Sequence, residues 1–553
     1  MTFKPTRIAL ALAALSLPFA AVTASANQSL VSPGYSATIG GVSNRSSIHS
    51  SSHNPASNSI LIKQDEKMRF GYLSNLGGYL ELGEVDDLDL VIDNLVDDMD
   101  AVDTINLPSS KQRLAERYPN VERNNQTESQ LEAAYLEAIS SEVNNNLLAE
   151  LEKGGQIRFG TQIQAPLTPF LIRSEKARGT FSVNASASMQ FKGGFLGGPF
   201  GVETTFKAGN TSFGAINLDL TKVAGIVPDL EDIVDDTEKS DADKVAAIET
   251  LLANNGMLAG NEATIEALKK HYNVKTASVT PASSTLQSES KLTTNSGLDV
   301  RAATLAHLGL GYGTNLTNWS ELTLPKGELE LGARLNLYQV ELARNFVSIQ
   351  AENNSNDNDS TSDKLTDDFT DNTTNATALG LDVGMLWHDD NFQAGLTIYN
   401  LNEPSFDYPD LATYLTGETL TALQGLEVAG KTKVADSVSM TRHAVLEGAY
   451  YTDNRNWVVQ GYFTLGTATN LVGDESQDMG ISAGYFSQSF LVPAFRIGYN
   501  KNLAGTKLST VNAGTTLFGI INMDLAMGLE SSSFDGTDIP RYVGFNLGFE
   551  EKF

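Results

Sequence analysis

The stretch from Arg541 to Phe553 reads "RYVGFNLGFEEKF". Val543, Phe545, Leu547 and Phe549 fall on every second position, in register with Glu551 and Phe553, while Tyr542, Gly544, Asn546, Gly548, Glu550 and Lys552 alternate with them. A period of two marks a strand, because successive side chains point to opposite faces. A strand at the last residues of a chain frays unless something holds it. Pairing the last strand with the first, in a closed barrel, supplies that partner and removes both sheet edges.

The alternation recurs upstream. "TFSVNASASMQF" sets Phe181, Val183, Ala185, Ala187, Met189 and Phe191 against Ser182, Asn184, Ser186, Ser188 and Gln190. "LGLDVGMLW" sets Leu379, Leu381, Val383, Met385 and Trp387 against Gly380, Asp382, Gly384 and Leu386, and "NWVVQGYFTLG" sets Trp457, Val459, Gly461, Phe463 and Leu465 against Val458, Gln460, Tyr462 and Thr464. Further strands are expected over 298–312, 329–338, 392–399, 479–486, 495–500 and 521–530. These lengths suit tilted strands that cross a bilayer.

The two faces differ in chemistry. One is apolar; the other is small and hydroxylated with isolated charges, as in a wall with lipid outside and a wet or plugged lumen inside. The lumen candidates are Arg301, Arg334, Asp382, Tyr399, His443, Glu447, Tyr462 and Arg496, with Asp524 beside them. Trp387, Phe392, Tyr450, Tyr451, Trp457 and Tyr499 sit near strand ends, where aromatic girdles meet the lipid–water interface. "HDDN" (His388–Asn391) and "TDNRN" (Thr452–Asn456) read as tight turns, and Glu352–Asn375 as a long acidic loop. Short turns on one side and long loops on the other are the asymmetry of outer-membrane barrels. The expected fold is an antiparallel transmembrane β-barrel over residues 61–553. A secreted β-sandwich or repeat adhesin shares the alternation but not the combination of strand length, aromatic ends and terminal Phe553.

Composition narrows the setting. Residues 1–26 have a basic start at Lys4 and Arg7, an apolar run from Ile8 to Val22 and a small-residue end at Ala24-Ser25-Ala26, which reads as a secretory signal peptide. The chain contains no cysteine, which excludes disulfides, thiolate metal sites and redox CxxC chemistry. With 67 acidic against 38 basic residues and a formal charge of −29, no direct nucleic-acid partner is expected. Helical spacing at three and four appears in three acidic stretches at about 84–152, 228–272 and 408–428; in the first, Val85, Leu88, Ile92, Leu95, Met99 and Val102 share a face. These are expected to be soluble insertions packed on the barrel rim or in its mouth.

Ahead of the first strand, "GYSATIGGVSNRSSIHSSSHNPASNSILI" (Gly34–Ile62) runs from small residues through a Ser/His-rich stretch to Asn54-Pro55-Ala56. This resembles the N-terminal region of the FadL superfamily, outer-membrane transporters of long-chain fatty acids and aromatic hydrocarbons. The resemblance implies a hatch or plug over residues 27–60 folded inside the barrel, with Asn54, Pro55 and Ala56 within it, and about 14 strands, in keeping with the even strand counts of bacterial barrels. The Ser-rich plug is expected to be flexible. The acidic insertion after the hatch, "RGTFSVNASASMQF", "NWVVQGYFTLG", "DESQDMGISAGYF" and "FRIGYNKNLAG" are similar to the conjugal transfer TraF-like branch of that superfamily. A periplasmic thioredoxin-like protein also called TraF does not fit a chain without cysteine. The ending also resembles the outer-membrane sorting signal, with Phe545, Leu547, Phe549 and Phe553 as its apolar positions and Glu551 as a departure.

No H-E-x-x-H zinc site or EF-hand loop occurs, an enzyme is not expected, and no cofactor or metal is assigned. His49 and His53 read as plug residues rather than ligands, His443 and Glu447 as residues of a wet lumen rather than a proton-transfer pair, and the acidic Asp357–Asp371 loop as solvated rather than Ca²⁺-bound. The functional expectation is a passive outer-membrane channel for small apolar or amphipathic solutes in a Gram-negative bacterium. The alternative is a structural barrel serving an envelope or conjugation complex without transport. The expected partners are outer-membrane lipid and the barrel assembly machinery. If Phe553 is part of the sorting signal, deleting it lowers outer-membrane insertion and raises periplasmic degradation; equal surface levels on immunoblots of fractionated cells would refute this.

Overall fold

The computed structural model describes residues 38–549 with interruptions, the longest at 85–96, 122–130, 273–285 and 350–371. The stretch read as a signal peptide, residues 27–37 of the expected hatch, Phe553, most of the helical face within 84–103 and the acidic loop up to residue 371 lie outside the described residues.

The barrel strands are β1 (Leu73–Leu82), β2 (Gln156–Gln164), β3 (Gly179–Leu196), β4 (Gly297–Asn315), β5 (Glu328–Ser348), β6 (Thr373–His388) and β7 (Phe392–Tyr399). They continue with β8 (His443–Tyr451), β9 (Trp457–Leu465), β10 (Asp478–Tyr485), β11 (Ala494–Asn502), β12 (Ser509–Leu517), β13 (Ile521–Gly528) and β14 (Tyr542–Phe549). Each pairs antiparallel with its neighbours in the chain, and β14 returns to β1, placing Phe545 opposite Gly78 and Leu547 opposite Leu76. The result is a closed 14-stranded transmembrane β-barrel. Two short pieces, Met68–Phe70 and Phe170–Ser174, extend β1 and β2 past a kink and pair with each other. At that kink Tyr72 and Leu167 stand exposed and the register slips between Leu73 and Leu76.

The faces follow the alternation. Leu379, Leu381, Met385, Trp457, Val459, Phe463, Val543 and Phe545 point outward and are exposed, whereas Ser182, Asn184, Asp382, Gln460 and Asn546 point inward and are buried. So large an apolar surface is suited to hydrocarbon rather than water. An aromatic girdle of Phe392, Tyr450, Trp457, Tyr485 and Phe495 rings the short-turn end, with Phe392 against Tyr450 and Trp457 against Tyr485 at ring separations of 5.0 and 5.2 Å. Tyr451 is not part of it: one residue beyond Tyr450, it faces the lumen and is buried. On β5 the outward series Leu331, Leu335, Leu337 gives way to Gln339 and Glu341, which marks the upper limit of the lipid-facing band. Above it, outward Phe159, Phe191, Val300 and Ala343 pack into a buried cluster.

All three insertions leave the barrel at the end opposite the tight turns. In the first, the helices Pro108–Arg117 and Leu148–Gly154 belong to a core with Tyr135, Ile139 and Val143 that packs on Phe195 of β3. The second is not purely helical: the helices Val227–Asp235, Asp241–Asn254 and Glu262–Tyr272 share a core with a three-stranded sheet of Phe200–Ala208, Thr211–Asp219 and Leu286–Thr294. The sequence reading placed only the helices, at about 228–272, and the three strands lie outside that range. In the third, the helix Gly417–Val428 buries Leu423 and Leu426 with Leu411 against Phe346, an inward residue of β5, and so covers the barrel mouth.

The band has a testable boundary. Leu335→Arg places a charge in its middle and is expected to cost about 2–4 kcal/mol, whereas Gln339→Arg, above it, costs about 0–1 kcal/mol. Unfolding titrations in lipid vesicles measure both; equal costs would show the boundary to be wrong.

Candidate functional site: the plugged lumen

The hatch is built from short turns. Asn54 is extended (φ −125°, ψ 115°), as a residue before proline prefers, and its side chain accepts from the backbone N–H of Ala56 at 3.0 Å, capping the turn Pro55–Ser57. Helical turns Ser50–His53 and Asn58–Leu61 flank it. The serines do not leave this segment flexible as the sequence reading expected: Ser47, Ser50, Ser51 and Ser57 are at most 1% exposed. Small hydroxylated side chains let the segment pack closely inside the wall: Ser50 and Ser57 donate to the Asn44 and Asn54 carbonyls, Ser51 and Ser52 donate to Asn184 Oδ1, and Ser47 Oγ accepts from the His49 N–H.

The wall makes room for it with glycine. A Cβ on Gly332 of β5 would lie 2.3 Å from the Ala56 nitrogen, one on Gly384 of β6 2.1 Å from Asn54 Oδ1, and one on Gly313 of β4 2.7 Å from the Pro55 carbonyl oxygen. Three adjacent strands thus form a smooth seat for Asn54-Pro55-Ala56. Gly498 of β11 does the same for the Thr38 carbonyl.

Polar side chains fix the hatch on that seat. Asn54 Nδ2 donates to Glu447 Oε1 at 2.9 Å and to the Met385 carbonyl at 3.2 Å, and Glu447 also accepts from the Ser43 hydroxyl at 2.8 Å. Arg334 and Asp382 form a buried ion pair at 2.7 Å, and Arg334 donates to the carbonyls of Ser51 and Ser52. Asp382 accepts from Asn336 at 2.7 Å and from the Asn400 N–H at 2.9 Å. Both ions are buried and held by these bonds, so removing either partner would strand a buried charge at a cost of about 3–5 kcal/mol. Tyr399 donates to the His53 carbonyl, Asn58 Nδ2 to Ser182 Oγ at 2.9 Å, and Ser52 Oγ to Asn184 Oδ1 at 3.0 Å. Arg496 pairs with Asp524 at 3.1 Å, and Asp524 takes the Thr38 hydroxyl. At the short-turn rim Arg45 donates to the Asp389 carbonyl at 2.8 Å. There the Lys326 ammonium and the backbone N–H groups of Phe392 and Asn391 hold the Asp389 carboxyl down at about 2.

Of the lumen candidates, Arg334, Asp382, Tyr399, Glu447 and Arg496 therefore gather around the hatch. Tyr462 joins them through Val42, in a cluster with Ala449, Tyr451, Val458 and Phe486. His443 stacks on Tyr399 at 5.1 Å and meets the Thr441 carbonyl, while Glu447 faces Ser43 and Asn54, so the two do not form a pair. Arg301 lies elsewhere, at the long-loop mouth, bound to Asp299 at 2.8 Å and Asp436 at 2.9 Å and stacked over the Tyr408 ring. There Leu305, Val340, Leu342, Phe406, Tyr408 and Met440 fill the lumen from above. The sequence reading missed the glycine seat; its signal was glycine at inward positions, Gly313, Gly332 and Gly384, across three neighbouring strands.

A family model described as "F plasmid transfer operon, TraF, protein" matches residues 52–463, from the hatch into β9. The chain belongs to this TraF family. Among solved structures, the TraF chain is similar to the Ralstonia pickettii toluene transporter TbuX, with 9% identity and a TM-score of 0.37 over 95% of this chain and 99% of that one. It is similar also to a deletion mutant of the monoaromatic hydrocarbon channel TodX, with 10% identity and a TM-score of 0.34 over 93% and 97%. The fold of the chain rests on its own strand ladder. No curated protein matches it.

The glycine seat predicts a specific lesion in this TraF barrel. Gly384→Val drives a side chain into Asn54 and should speed deuterium uptake over residues 50–57 while the barrel keeps its heat-modifiable gel shift. Gly448→Ala, whose Cβ meets nothing closer than 3.8 Å, should leave exchange unchanged. Equal exchange in the two variants would contradict the seat.

Proposed function

We propose that the protein is a gated passive channel of the outer membrane for small apolar or amphipathic solutes, with residues 42–62 as its gate. The observation that carries this reading is the way the hatch is held. Side-chain hydrogen bonds and glycine contacts fix it, and it takes no part in the barrel ladder, so the gate can shift without opening the wall. Val458, Tyr462 and Phe486 pack on Val42 of the hatch, Leu386 is buried, and the apolar cluster around Leu305 and Val340 fills the lumen above. Apolar contacts with a few orienting polar groups suit a hydrocarbon or fatty-acid ligand. The resemblance of Gly34–Ile62 to the FadL superfamily hatch supports the same reading.

A second reading is a structural barrel for an envelope or conjugation complex. The family description, which names a plasmid transfer operon, and the mass of the insertions on one rim favour it. Uptake of labelled toluene and of a labelled fatty acid by cells with and without the protein separates the two. The channel reading expects faster uptake with the protein and a further change when 34–56 is deleted. No difference for either solute, together with a conjugation or envelope defect in the deletion strain, would select the structural reading.

A further inference from the structure

Glu328 and Glu330 lie two residues apart on β5, and both side chains face inward at the short-turn rim. His388, the last residue of β6, stands directly opposite Glu328, and Asn315, the last of β4, opposite Glu330. Asn315 Nδ2 donates to Glu328 Oε2 and to Glu330 Oε1, at 2.8 Å each, and so draws two carboxylates together. His388 Nε2 is 3.3 Å from Glu330 Oε1. One ligand atom from each of Glu328, Glu330 and His388 falls within 4.8 Å of the others.

The cluster leaves a demand unmet. Glu330 is 2% exposed, and its Oε2 is buried with no hydrogen-bond partner. A bare buried carboxylate oxygen is costly, and a second carboxylate beside it adds repulsion. Lys326, two residues before Glu328, does not relieve this, because its ammonium is bound to Asp389 at 2.9 Å. What would satisfy the site is a cation bound by an oxygen of each carboxylate together with the imidazole nitrogen.

We infer that Glu328, Glu330 and His388 form a binding site for a divalent transition cation of the zinc type. One imidazole nitrogen and two carboxylate oxygens are a ligand set that such an ion accepts, with a position left for water. The imidazole disfavours Ca²⁺ and Mg²⁺, which take oxygen ligands. The site lies one inward position from Gly332, the seat of Ala56, so the bound ion would tie β5 to β6 beneath the hatch. The inference is independent of whether the barrel transports anything.

The test is isothermal titration of Zn²⁺ into the untagged, chelator-stripped full chain in detergent at pH 7, with Ca²⁺ titrated in parallel. Expected are one Zn²⁺ per barrel, weaker Ca²⁺ binding, and at least a tenfold loss of Zn²⁺ affinity in Glu328→Gln and in His388→Asn. Heat-modifiable migration reports whether each variant is folded. Glu328 is exposed, so E328Q decides the matter if H388N fails to fold. Absence of one-to-one Zn²⁺ binding, Ca²⁺ bound as tightly as Zn²⁺, or less than a tenfold loss in E328Q overturns the inference.

Discussion

Everything else in this molecule depends on the ladder between β14 and β1. Hydrocarbon offers no hydrogen bonds, so each backbone N–H and C=O in the lipid-facing band must find its partner within the protein. Thirteen successive neighbour pairings leave two open edges, and the pairing of Tyr542–Phe549 with Leu73–Leu82 closes both. Closure fixes the register, and the register decides which residues face lipid. A slip of one residue would turn Phe545 and Val543 inward and Asn546 out into the hydrocarbon.

Closure also creates the interior that the hatch fills. A lumen lined with Asp382, Arg334, Glu447, Asp524 and Arg496 must either hold water or give those groups protein partners. The hatch supplies part of that role with serine hydroxyls, backbone carbonyls and the Asn54 amide. Its small side chains and the glycines across from it are two halves of one fit, since bulk on either side would lift the hatch and unpair the charges beneath. The apolar inward residues are accommodated separately, with Val458, Tyr451 and Phe486 around Val42.

The two ends of the barrel do different work. Short turns and the aromatic girdle define one rim, where Arg45 pins the hatch to the β6–β7 turn. At the other rim β3, β4 and β5 continue past the lipid-facing band. Their outward residues carry the first insertion, while inward Phe346 receives the third. The long strands are therefore both membrane wall and scaffold.

Much of the barrel was legible in the sequence because lipid on one side and a polar interior on the other impose a period of two. That constraint acts residue by residue, so "NWVVQGYFTLG" or "RYVGFNLGFEEKF" shows its faces without reference to any partner. Asn54-Pro55-Ala56 likewise carries its own turn, through a cap and a proline-fixed backbone. The lumen charges could be assigned to the interior but not to one another. Arg334 meets Asp382 and Ser51, Glu447 meets Asn54 rather than His443, and Arg301 goes to the opposite mouth, because those meetings depend on strand stagger and on where the hatch enters. The glycine seat and the Glu328–Glu330–His388 group join residues from strands that only closure and register bring side by side, and no local pattern encodes that distance. The sequence alone determined which face of each stave meets lipid, because that is a property of single residues; the tertiary structure decided what fills the barrel and which groups meet inside it, because contacts across a closed wall are set by the whole ring.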